Sequence, residues 1–129
     1  MLASAAFAQQ DSAKKSKAKP SAPDEGATLY RRNCAVCHGN DAKGGSAPKS
    51  RLFIQPAPDL TTLAKRHNGK FPEGYVATVL RSGVKLPGHG PAEMPVWGTI
   101  FEASAKSDEA QVNQRIAALT AYLKSVQVK

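Results

Sequence analysis

The chain has 129 residues, 41% of them hydrophobic, yet only four Phe, three Tyr and one Trp supply its aromatic bulk. That bounds it to one small domain with a modest apolar core, which calls for a staple of some kind. Of the net charge of +8, residues 1–23 carry +3 and the rest of the chain +5, spread as Arg31, Arg32, Lys43, Lys49, Arg51, Lys65, Arg66, Lys70, Arg81 and Lys85 rather than clustered around aromatics, which argues against nucleic acid and for acidic protein partners or peripheral contact with an anionic membrane.

Ala6-Phe7-Ala8 has the small-x-small pattern of a signal-peptide cleavage site, so residues 1–8 read as the remnant of a secretory signal. Its apolar part is short and no basic region precedes it, so the complete signal is expected to begin upstream of Met1. Export then places the protein in the periplasm. No stretch of sequence reaches the length of a membrane span. Residues 9–23 are rich in Lys, Ala, Ser and Pro and hold no large apolar residue, so they are expected to form a disordered tail. The folded domain is assigned to residues 24–129.

Asp24 is the expected N-cap of a first helix running from about Glu25 into Cys34-Ala35-Val36-Cys37-His38. Gly39 to Pro58 reads as loop. Asp59 is expected to cap a short helix through Leu60, Leu63 and Ala64, ended by Asn68-Gly69. Pro72 opens a third helix, in which Tyr75, Val76, Val79 and Leu80 form an apolar stripe up to Gly83. Residues 83–98 contain four Gly and three Pro and read as loop. The last helix starts at Ser107-Asp108-Glu109 and ends near Lys124, with Val112, Ile116, Leu119, Leu123 and Val126 on one face. The pattern is all-α, four to five helices with long loops, and such loops in a compact domain imply that they wrap something.

Cys34, Cys37 and His38 indicate what that is. Cysteine occurs nowhere else in the chain. Two thiols three residues apart followed at once by an imidazole are what covalent attachment of one haem c requires. The sulfurs add across the two vinyl groups, and His38 supplies the proximal nitrogen to iron. On a helix the three side chains share one face. The competing readings of the pair, a redox dithiol or half of a zinc site, lack respectively a strand–helix alternation and further close ligands. The distal ligand is then the functional question. Met94 is the single internal methionine, in a Gly/Pro-rich loop with little regular core to fill, and ranks first. His89 and then His67 are its competitors. His/Met ligation leaves no vacancy at iron and points to one-electron transfer rather than catalysis.

On these residues the chain resembles the class I c-type cytochromes, from about Gly26 to Val126. Gly26-x-x-x-Tyr30 precedes the Cys-x-x-Cys-His motif as in that family's first helix. Pro58-Asp59-Leu60-Thr61 looks like a segment common in bacterial members, and Met94-Pro95-Val96-Trp97-Gly98 is similar to the distal loop. Leu119-x-x-Tyr122 looks like the last-helix pair that packs on Gly26 and Tyr30. The resemblance implies a small cytochrome c-like fold wrapped around one haem, with Pro48 as the proline whose carbonyl accepts a hydrogen bond from His38. It also implies a haem propionate near Trp97, for which packing is the alternative role. Arg51, Arg66 and Arg81 are further candidates to neutralise propionates. The function expected is a monomeric periplasmic electron carrier serving acidic partners such as a terminal oxidase or dehydrogenase. The rival is a haem subunit or sensor whose labile distal ligand yields to a small molecule.

Overall fold

The computed structural model describes residues 21–45, 57–83, 94–104 and 108–129. The signal remnant, nearly all of the tail, and Pro48, Arg51 and His89 lie outside them. Six helices are present among the described residues: α1 Ala22–Asn33, α2 Ala35–His38, α3 Leu63–Arg66, α4 Glu73–Ser82, α5 Trp97–Ser104 and α6 Glu109–Ser125. None of the described residues forms a strand, so the all-α expectation is met. Helices α2 and α3 are single turns.

Helix α1 starts before the expected cap. Ser21 is the N-cap and its hydroxyl donates to Asp24 Oδ2 at 2.6 Å, so Asp24 sits inside the first turn. Pro23 permits this, because N–H groups of the first turn have no intrahelical acceptor and a proline there forfeits nothing. Asp24 and Glu25 at the start, with Arg31 and Arg32 at the end, complement the helix dipole.

The main packing event is α1 against α6. A Cβ on Gly26 would stand 2.0 Å from the carbonyl oxygen of Ala118 and 2.7 Å from Cβ of Tyr122. Only glycine admits so close a crossing. One turn further on, the rings of Tyr30 and Tyr122 meet at 5.2 Å between centroids, tilted by 44°. Tyr30, Val112 and Leu119 are the largest side chains fully enclosed there, each contributing about 2 kcal/mol by leaving water. Helix α6 matches its expected span. Asp108 caps it, accepting from the N–H groups of Ala110 and Gln111 at 3.1 and 3.5 Å. Val112, Ile116, Leu119 and Leu123 form the buried stripe.

Helix α4 follows Pro72 and stops at Gly83, as expected, burying Val76 and Leu80. Tyr75 departs from the stripe: it is 56% exposed, with its ring 6.1 Å from that of His67. Position 75 precedes the buried position 76 by one residue, a rotation of about 100° on a helix, which turns the phenol outward. The second expected helix is shorter than assigned. Asp59 Oδ1 accepts from the N–H and hydroxyl of Thr61 at 2.8 and 2.6 Å, closing a turn, and regular helix begins only at Leu63. The Asn68-Gly69 stop is present, both residues having positive φ.

Helix α5 was not expected, since residues 97 and 98 were assigned to loop. Its Phe101 is buried against α6, with the Arg115 guanidinium 5.5 Å over the ring and donating to Ser104 Oγ at 2.7 Å. That contact contributes about 0.5–1 kcal/mol. No helix among the described residues is long and apolar enough to cross a membrane.

Gly26→Ala should destabilise the folded protein by about 3 kcal/mol, read as a lower urea midpoint, because the added methyl must push α1 off α6. Asp108→Ala, which removes only a cap, should cost about 1 kcal/mol.

Candidate haem site

The attachment motif straddles a break between helices. Cys34 closes α1, its N–H donating to Tyr30 O at 2.8 Å, and also opens α2. His38 N–H donates to Cys34 O at 2.8 Å, so Cys34, Cys37 and His38 lie on a single turn. Cys34 is buried, Cys37 is half-buried and His38 is buried. Tyr30 anchors the exit from this turn: its buried hydroxyl donates to Gly39 O at 2.6 Å. Burial drives the phenol well above its ordinary pKa, with the neighbouring Cys34 and Tyr122 adding to the effect.

The chain after the motif doubles back. Gly44 N–H donates to His38 O at 2.8 Å, and Leu60 N–H to Ala42 O at 2.8 Å. The loop after the motif is thereby clasped to residues 57–60. Gly44 has φ +78°, and a Cβ there would stand 2.2 Å from Ala57 O and 2.9 Å from the carbonyl of Pro58. Its absence lets the two segments touch.

This clasp delivers a backbone carbonyl to the imidazole. His38 Nδ1 lies 3.1 Å from Pro58 O. A carbonyl only accepts, so Nδ1 carries the proton and the lone pair is left on Nε2. The acceptor is therefore Pro58 and not Pro48, which corrects the expectation. The physical reason is the tight return of the chain at Gly44 and Gly45, which pairs residues 57–60 with the motif. Burial lowers the pKa of His38, opposed by the bond to Pro58, so the ring stays neutral and able to ligate.

The donor set fits a covalently bound haem: two thiols and a neutral imidazole of defined tautomer on one turn. It fits the rival readings poorly. Burial, helped by the neighbouring Cys37, pushes the Cys34 thiol up to about 12, so it is a poor thiolate for dithiol exchange. Among the described residues, no group of three or more His, Cys, Asp or Glu side chains forms a metal cage.

The remaining expected residues take different places. Met94 is half-buried and packs against the apolar core cluster that includes Cys34 and Leu80. Trp97 opens α5 half-buried, its ring 5.9 Å from that of Phe101. His67 is exposed, with Nδ1 2.7 Å from Leu63 O, and is not brought to the motif. The Arg66 guanidinium donates to Asp59 O at 2.6 Å and that of Arg81 to Asn113 Oδ1. Two features escaped the sequence reading. Helix α5 was signalled by Trp97, Ile100 and Phe101 at helical spacing; the role of the Pro58 carbonyl has no side-chain signature.

Asp59 tests the corner that carries Pro58. The Thr61 hydroxyl, first among the causes, holds its carboxyl below the ordinary carboxylate pKa. A depressed folded-state pKa stabilises above the unfolded value and is lost as pH falls through the folded one. Thermal melts of Thr61→Val should therefore fall less steeply on acidification below about pH 4 than those of the parent.

The sequence matches the family model for Cytochrome c over residues 23–127. No curated protein and no solved structure matched the chain. With two thiols and a tautomer-fixed imidazole on one turn, and a family match spanning the whole helical domain, the chain belongs to the cytochrome c family, whose haem c is covalently attached and transfers electrons.

Proposed function

We propose that this is a monohaem electron carrier of the class I type, exported to the periplasm, in which His38 and Met94 are the axial ligands. The observation that carries the reading is the His38 Nδ1–Pro58 O bond at 3.1 Å within a Cys-x-x-Cys-His turn. A bound haem supplies the one-electron ferric/ferrous couple. The protein's part is to bind, orient and exclude water. Cys34 and Cys37 form the thioethers, His38 offers Nε2, and the Pro58 carbonyl enriches that nitrogen by holding the Nδ1 proton. Met94 packs against the core cluster just before α5. With a haem bound, a Met94 thioether ligand would favour the reduced iron and suit the site to electron transfer rather than substrate chemistry. Trp97, beside it, is proposed to meet a propionate with its indole N–H while its ring packs on Phe101.

The surface supports docking with acidic redox proteins, such as a terminal oxidase or dehydrogenase, and peripheral contact with anionic lipid. Arg31, Arg32, Lys43, Lys65, Arg66 and Lys70 are all exposed on a chain of net charge +8. The protein is proposed to act as a monomer.

Met94→Ala and Met94→Leu should each lower the reduction potential and let the reduced protein bind carbon monoxide at neutral pH. The parent should bind it negligibly. Rapid binding by the parent would favour the small-molecule sensor, and an unchanged potential in both variants would assign the sixth ligand elsewhere. Acid–acetone extraction should leave haem on the parent, and lost haem would overturn covalent attachment.

A further inference from the structure

We infer that Gln127, two residues beyond the last helix, is a positioning residue for the proximal histidine, acting through the segment that carries the Pro58 carbonyl. The inference rests on the reading of His38 as the proximal ligand. All five consecutive carbonyls from Ala57 to Thr61 are taken by a specific donor. Gly45 N–H reaches Ala57 O at 3.3 Å, and His38 Nδ1 reaches Pro58 O at 3.1 Å. The Arg66 guanidinium reaches Asp59 O at 2.6 Å, and Gln127 Nε2 reaches Leu60 O at 2.7 Å. Val128 N–H completes the row on Thr61 O at 2.9 Å.

Gln127 is the pivot because its half-buried amide satisfies three backbone groups from two places in the chain. Nε2 donates to Leu60 O and, at 2.8 Å, to Leu123 O in the last turn of α6. Oε1 accepts from the N–H of Ala64 in α3 at 2.9 Å. Because α1 crosses α6 at Gly26 and ends at Cys34, the amide ties the 57–61 segment to the same helix that supports the motif. The Pro58 carbonyl is thus held from both sides: by the loop after the motif and by the end of α6. A backbone carbonyl held in place keeps the Nδ1 proton and leaves Nε2 electron-rich, which favours the oxidised iron.

The test uses the full-length haem-loaded protein. Gln127→Met keeps side-chain length and loses all three hydrogen bonds. It should raise the reduction potential and speed solvent exchange of the His38 Nδ1 proton, followed among the hyperfine-shifted proton resonances, by about tenfold, or about 1.4 kcal/mol of local opening. Gln127→Glu keeps the acceptor for Ala64 but cannot donate to Leu60, and read by proton exchange alone it should show the same acceleration. Asp108→Ala, which weakens α6 at its far end, should leave both readouts at parent values. Parent-like potential and exchange in Gln127→Met, or equal shifts in Asp108→Ala, would overturn the positioning role. Absence of the His38 Nδ1 resonance in the parent would instead remove the ligand assignment beneath it.

Discussion

Helices α1 and α6 cross where Gly26 leaves room for the carbonyl of Ala118, at a separation that a single methyl would abolish. Everything at the site follows from that crossing. It sets the Tyr30 ring against that of Tyr122, buries Tyr30 completely, and aims its hydroxyl at the carbonyl of Gly39. The chain leaving the attachment motif is therefore tied to the helix entering it. Without a large aromatic core, a chain of this size depends on one such close contact and on a cofactor to supply the rest of its buried surface.

The second level of order is the backbone row from Ala57 to Thr61. Carbonyls in a loop ordinarily face water. Here they are distributed among a glycine amide, the histidine ring, an arginine, a glutamine and the amide of Val128. Ala42, buried with φ +61°, is the strained residue that lets the facing loop close on this row. The row converts packing of distant elements into the placement of one oxygen beside one imidazole nitrogen. The electronic character of the ligand is thus linked to how α6 ends.

Much of this was legible as pattern. The turn bearing Cys34, Cys37 and His38, the α6 stripe from Val112 to Leu123, the cap at Asp108 and the stops at Gly69 and Gly83 follow from local chemistry and stand where expected. The misreadings share a cause. Asp24 was read as a cap because Asp commonly caps, but Ser21 two residues before Pro23 does so. The family resemblance points to Pro48 as the acceptor, whereas Pro58 is brought to the ring by a reversal at Gly44. Helical spacing puts Tyr75 in the α4 stripe beside Val79, although one residue of rotation from the buried Val76 exposes it. Helix α5 was hidden by the glycines and prolines that precede it.

The sequence by itself determined the cofactor, because covalent haem attachment needs side chains that are adjacent in the chain, and adjacency is visible without a fold. It also determined the helical class, through periodicity, and the diffuse positive charge. Only the tertiary structure decided which carbonyl meets His38 and which residue secures that carbonyl from behind. Those contacts join residues 20 and 67 positions apart. One partner in each is a backbone carbonyl, which every residue carries, so nothing in the order of side chains could single it out.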